Sequence, residues 1–350
     1  MIVSYGRKNI GWSDNNSHLR NMRKVFVHEI MSNKNLEASS TFRRTEVRKT
    51  IKHLFENMST EVDIGGMAFL TSLRIITNVL WGSSLVEDEK IRNLGIEFRE
   101  VVIETVRLLG APNLSDFFPV LSRLDLQGVE RQMKLAWEKI DRIFERIIEE
   151  RITGKPEDGV EQHGRKDFLQ ILLELKEQKV STSLDITQIK ALLLDIVVAA
   201  TDTTATLIEW ITAELLQNQK EMHKVQDELK QVVGLNNIVE EYHLPKLQHL
   251  DAVIKETLRF LSHDGATNFD FNGYNSTFMP FGSGRRMCPG VPMGEKMLVY
   301  LMASMLHSFD WTLPFDKTHE LSGKFSFMLK KREPLIAIPS QRLPYKTLYM

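Results

Sequence analysis

One cysteine stands in the whole 350-residue chain, Cys288, and the residues around it have an unusual make-up, FGSGRRMCPG at 281–290. Gly282 and Gly284 permit tight turns and close approach to a flat ligand, and Pro289 and Gly290 redirect the backbone after the sulfur. Arg285 and Arg286 place positive charge nearby, and a helix predicted to start near Pro292 or Met293 turns its partially positive end toward the same place; both favour a thiolate. Two chemistries are open to such a residue, an inert thiol buried in a glycine-rich turn or a thiolate that ligates a metal.

A second group is AATDTT at 199–204, inside a stretch that is apolar on nearly every face. A carboxylate followed by a hydroxyl is costly in such a place unless it is used or paired. Asp202 and Thr203 together could relay protons, the acid from water and the alcohol to an acceptor. Alternatively, Thr203 back-bonds to its own helix and bends it while Asp202 meets a cation. A third pair, Glu256 and Arg259 in ETLR, lies one helical turn apart, which by itself reads as a surface salt bridge.

The spacing F-x-x-G-x-R-x-C-x-G, met by Phe281, Gly284, Arg286, Cys288 and Gly290, resembles the signature of the cytochrome P450 superfamily. The resemblance runs from about residue 10 to the end and is nearest to the plant microsomal type, the geraniol 8-hydroxylase and flavonoid hydroxylase relatives. It implies haem b with the Cys288 thiolate as axial ligand, Arg286 on a haem propionate, and Gly282 in the same cofactor loop. A thiolate ligand pushes electron density toward O–O cleavage. It further implies Thr203 as the distal alcohol and Asp202 as the acid, with Ala200 where the family usually has glycine, which narrows the groove for oxygen. Arg23, in HLRNMRKV, matches the arginine of the family's W-x-x-x-R helix that touches a propionate; Leu19 stands in place of the tryptophan. The E-x-x-R pair is buried and structural in the family. The implied activity is insertion of one atom of dioxygen into a small hydrophobic plant metabolite, terpenoid or phenolic. Electrons come from NADPH through NADPH-cytochrome P450 reductase, whose acidic surface would meet Arg20, Lys24 and Arg285. The implied location is the endoplasmic reticulum membrane, cytosolic face.

Positioning these residues requires helices. Before Pro112 the chain has no proline, and 165–233 has neither Gly nor Pro. Helical periodicity marks 18–34, 41–58, 66–81, 86–109, 128–152 and 166–179, with a polar loop at 154–165. Asp185 followed by Gln188 predicts a capping box opening a long helix to about Asn218, apolar enough to cross an interior. Further helices are expected at 219–233, 247–260 and 293–308, and short strands in FSFML and PLIAIP. The fold class expected is mainly α with a small β part, an incomplete cytochrome P450 fold in a single domain, 1–350.

Composition excludes other classes. Lys plus Arg number 45 against 46 Asp plus Glu, so the basic bias of a general nucleic-acid binder is missing. One cysteine rules out an intrachain disulfide and a cysteine-rich zinc site, and suits a reducing compartment. No unbroken run of about 18 apolar residues suggests a membrane span, which leaves cytosolic or peripheral membrane contact as the expectation for this chain.

Two departures from the family pattern qualify these expectations. The chain begins close to the Arg23 helix, so the anchor and first strands of the family are not in it. Arg259 is only 22 positions before Phe281, where the family carries several tens more residues, so Arg259-Phe260 reads as a join. Removing one member of a buried charge cluster costs about 3–5 kcal/mol against a domain stability of about 5–15 kcal/mol. A weakened fold is therefore expected, and a noncatalytic haem-binding remnant is the competing reading.

Overall fold

The computed structural model describes residues 4–82, 92–118, 120, 124–153, 167–178, 184–262, 279–315, 321–325 and 328–350. The polar loop expected at 154–165, the first part of the 86–109 helix and the run 263–278 before the cysteine loop lie outside the described residues. The chain divides into two compact units, one of residues 1–39, 73–202 and 325–328, the other of 40–72, 203–324 and 329–350.

The first unit contains α1 (Ser17–Glu29), α2 (Asn33–Ala38), α5 (Arg92–Leu109), α6 (Leu114–Phe117), α7 (Val129–Thr153) and α8 (Phe168–Glu177). The single helix expected over 18–34 is two, because Ser32 caps a new start by accepting from the Asn35 N–H. Helices α5 and α7 pack along each other, with Trp81, Phe98 and Phe144 forming a ring cluster at centroid distances of 5.9, 6.3 and 6.0 Å. Arg151 closes the C-terminal end of α7 by pairing with Asp167 at 2.6 Å and donating to the Trp81 carbonyl at 2.8 Å.

Two helices run from one unit into the other, α4 (Ile64–Trp81) and α9 (Ile186–Gln217). The capping box at the start of α9 is formed in both directions, Gln188 N–H to Asp185 Oδ1 and Asp185 N–H to Gln188 Oε1, each 2.7 Å. By length and composition α4 and α9 are apolar enough to cross a membrane; 78% of the α9 window is buried within the chain, as befits a core helix.

In the second unit, α3 (Ser40–Glu56), α10 (Gln219–Val232), α11 (Gln248–Ser262) and α12 (Val291–Ser308) surround a small sheet. Its strands are β1 (Val62–Asp63), β5 (Ile336–Gln341) and β2 (Phe309–Thr312), in that order and antiparallel, with Val62 opposite Ala337 and Phe309 opposite Gln341. A separate pair joins β3 (Gly323–Phe325) to β4 (Leu329–Lys331). Tyr349 pins the chain's end: its ring stacks on Phe55 at 4.4 Å, and its hydroxyl donates to the Ser308 carbonyl at 2.7 Å while accepting the Leu343 N–H at 2.8 Å. Mainly helical, with short strands of which all but β1 lie in the last quarter, the architecture agrees with the expected fold class.

Candidate functional site

The cysteine loop hangs in front of α12. Gly282 and Gly284 both have left-handed backbones, φ +73° and +60°, a region that costs any residue with a Cβ. A 3₁₀ turn at Gly284–Arg286 follows, with Met287 N–H on the Gly284 carbonyl at 3.2 Å. The chain then doubles back so that Cys288 N–H donates to the Phe281 carbonyl at 2.8 Å. Gly290 caps α12 and Pro292 occupies its first turn, where a missing N–H costs nothing. This places Cys288 just ahead of a helix N-terminus, three residues before Val291.

Cys288 is exposed, as are Gly282, Gly284, Arg285 and Arg286, whereas Phe281 and Gly290 are half-buried. Nothing lies within 4 Å of the place a Cβ on Gly284 would take, and a Cβ on Gly290 would stand 3.8 Å from the Cys288 sulfur. The sulfur is thus exposed on a glycine-rich loop where, among the described residues, no side chain crowds Gly284. That arrangement fits a large flat group held by one thiolate, with cationic Arg286 available to its acidic edge. Among the described residues no three His, Cys, Asp or Glu side chains gather as metal ligands, so the donor set offered here is a single sulfur.

Helix α9 carries the acid and the alcohol. Val197, Val198, Thr201 and Thr204 are buried around them, and Asp202 is 5% exposed. Ala199 is exposed and Ala200 and Thr203 are half-buried; at spacings of one, three and four residues these three share one face. An otherwise enclosed helix therefore leaves small side chains and one hydroxyl uncovered along a strip. Thr201 back-bonds to the Val197 carbonyl at 2.8 Å, as Thr212 does to Ile208. The division of the chain into units falls between Asp202 and Thr203.

Arg23 is half-buried on α1, and Leu19, at the position of the family's tryptophan, is 1% exposed in the core of the first unit. Arg20 and Lys24 are exposed on the same helix. Glu256 and Arg259 do pair, Oε1 to Nη2 at 2.6 Å, but on an exposed face: their side chains are 57% and 26% accessible. The resemblance implied a buried pair, so this expectation is corrected.

One residue of this neighbourhood was passed over in reading the sequence. Asp195 interrupts the apolar run IKALLLDIVVAA, and its carboxylate gathers donors from the segment before α1: Asn9 Nδ2 at 2.8 Å, the Ile10 N–H, and the Gly11 N–H at 3.3 Å. Burial nonetheless raises its pKa to about 6, against the pull of those three donors. A lone acid in an apolar helical run was the signal that could have found it. A shallow depression lined by Leu124, Gly128, Arg131 and Gln132 contains none of the candidate residues.

The family model for cytochrome P450 matches residues 3–267 and 259–338, two stretches that meet where ETLRF runs into the cysteine-loop approach. Cytochrome P450 76C1 from Arabidopsis thaliana is 31% identical over 380 residues, covering 92% of this chain and 73% of that protein. Geraniol 8-hydroxylase from Swertia mussotii is 30% identical over 382 residues, with 93% and 76% covered. The 7-ethoxycoumarin O-deethylase of Helianthus tuberosus is 31% identical, with 91% and 75% covered. The aligned spans exceed the 350 residues of the chain itself, so these relatives carry residues inside the matched region that have no counterpart here. A zebra fish cytochrome P450 solved with progesterone superposes with a TM-score of 0.76 at 18% identity, covering 97% of this chain and 86% of that one, which shows a shared fold. The chain belongs to the cytochrome P450 family and is a monooxygenase of that family.

Proposed function

We propose that Cys288 is the axial ligand of a haem b group, and that this chain inserts one atom of dioxygen into a small hydrophobic plant metabolite, a terpenoid or phenolic. The observation that carries the reading is the exposed sulfur on a glycine-rich loop at the start of α12. When bound, a thiolate-ligated haem supplies the reductive cleavage of dioxygen. The chain's own residues supply the rest. Cys288 Sγ would hold the metal, with the loop shape fixed by the Cys288–Phe281 backbone bond and by Gly282 and Gly284. Arg286 and Arg23 would be the cations available to the propionates. The uncovered strip at Ala199 and Ala200 leaves room for small ligands, while the Thr203 hydroxyl holds a proton that the Asp202 carboxylate passes on from water. Names of the matched relatives support the substrate class, geraniol and an ethoxycoumarin being a terpenoid and a phenolic ether.

Electrons are supplied by NADPH through a cytochrome P450 reductase, and the exposed cations Arg20, Lys24 and Arg285 support docking of an acidic donor. Peripheral contact with the endoplasmic reticulum membrane, on the cytosolic side, is supported by exposed Leu114, Phe117, Phe118, Val120, Leu124 and Leu126.

A second reading, a haem-binding remnant without turnover, is favoured by the exposed Glu256–Arg259 pair and by the internal residues that relatives have and this chain lacks. One set of measurements decides. Reduced, carbon monoxide-bound protein should show the absorption of a thiolate-ligated haem, lost in Cys288→Ser. NADPH-driven product formation with the reductase supports the monooxygenase; haem uptake without product supports the remnant; no haem uptake by folded protein overturns both.

A further inference from the structure

We propose that Asp195 is the positioning residue for Arg23: the three donors of residues 9–11 that meet on its carboxylate fasten the approach to α1 onto α9, and so set where the α1 arginine stands. The path is short and continuous. Asn9 gives its amide nitrogen to Asp195 at 2.8 Å and takes the Trp12 N–H on its own oxygen at 3.3 Å. Ser13 Oγ turns back to the Arg7 carbonyl at 2.6 Å, which closes the turn. Asn16 then caps α1 by accepting the Leu19 N–H at 3.0 Å, and His18, one residue into that helix, meets the Lys8 carbonyl at 2.8 Å and Gln188 Nε2 at 3.1 Å. On the α1 side these hydrogen bonds fall within residues 7–19, and Arg23 follows one turn after Leu19.

The reason to assign a positioning role is where the anchor sits. Asp195 is seven residues before Asp202, two helical turns along α9 and on the same face, so one helix carries both the fastening point for the Arg23 segment and the acid of the proposed proton path. Gly11 belongs to the fit: a Cβ there would stand 3.6 Å from Asp195 Oδ1, and its N–H reaches the other oxygen. The charged groups of the packed elements are engaged elsewhere, Lys8 with Asp185, Arg7 with Asp14, and Lys190 with Asp141 and Glu145. Neutral donors therefore hold a half-buried carboxylate, and among the described residues no ion pair to it is seen.

That gives the fastening a pH signature. Because burial raises the pKa to about 6, the closed turn takes up a proton that the opened one, near 3.8, releases. Protection is greatest at acid pH and falls as the pH rises through about 6, then levels.

The role of Arg23 rests on the haem reading, so the test has two arms. Hydrogen exchange on the chain as expressed, with or without haem, reads residues 9–20. Asp195→Ala is expected to speed exchange there at least tenfold while α7 is unchanged. The wild type should lose about 100-fold in protection between pH 4 and 7, and Asp195→Asn, which cannot titrate and keeps the side-chain shape, should show no such step. The second arm is haem dissociation into an apo-globin acceptor at neutral pH, expected to be several-fold faster in Asp195→Ala and in Arg23→Leu, with no further increase in the double variant. Unchanged exchange over 9–20 in Asp195→Ala overturns the fastening. Additive effects of Asp195→Ala and Arg23→Leu on haem release overturn the link to Arg23. A wild type that binds no haem but keeps the exchange step overturns the haem reading and leaves the fastening standing.

Discussion

Arg43 and Glu241, 198 residues apart, form a two-point ion pair in which the guanidinium is fully buried: Nε to Oε1 is 2.6 Å and Nη2 to Oε2 is 2.9 Å. The pair joins α3 to the 3₁₀ turn Glu241–Lys246, and Met293 Sδ lies 3.5 Å from Nη1 at the start of α12. It therefore braces the helix that follows the cysteine loop. Glu241→Ala would take the two-point ion pair from a buried cation and is expected to cost about 3–5 kcal/mol. Urea unfolding checks this, and Arg43→Met with Glu241→Leu together should recover most of the loss.

The Glu256–Arg259 pair yields the opposite expectation. On a half-exposed helix face its net contribution is about 0–1 kcal/mol, because solvent screens the charges and two long side chains must be ordered. Glu256→Gln is thus expected to leave the urea midpoint nearly unchanged. A loss comparable to that of Glu241→Ala would mean that the pair is buried as in relatives.

At the start of α9, Asp185 and Gln188 satisfy each other's backbone N–H groups. Replacing Asp185 by Ala is expected to cost about 1 kcal/mol in thermal or urea unfolding, and Gln188→Ala less than that.

Thr203→Ala removes the hydroxyl from the uncovered strip of α9 without disturbing the buried faces. Product formation is expected to fall about 100-fold, with oxygen consumption continuing and the carbon monoxide spectrum unchanged. Loss of the spectrum instead would show that Thr203 serves the fold.

Glu209 accepts the Leu335 N–H at 2.8 Å, and burial raises its carboxyl above the ordinary value of 4.5. A raised carboxyl favours the folded state at acid pH and that contribution is lost as the pH climbs through the raised value. Glu209→Gln should therefore flatten the unfolding stability above pH 4.5 relative to the wild type, measured by chemical denaturation from pH 4 to 7.

What was readable from the sequence is what local chemistry dictates. Helix limits follow from a 3.6-residue period and from the absence of breakers, and the Asp185–Gln188 box is a contact over three residues, so both were foreseen to within a turn or so. The cysteine loop is equally local: Phe281 to Gly290 is ten residues whose glycines already demand the backbone that they adopt. Tertiary structure alone decided the rest. No spacing rule ties Arg43 to Glu241, Asp195 to Asn9, or Val62 of β1 to Ala337 of β5, because each partner is chosen by which surfaces meet once the helices have packed. The same holds for the exposure of Glu256 and Arg259: charge spacing predicts that they pair, whereas burial depends on what covers them.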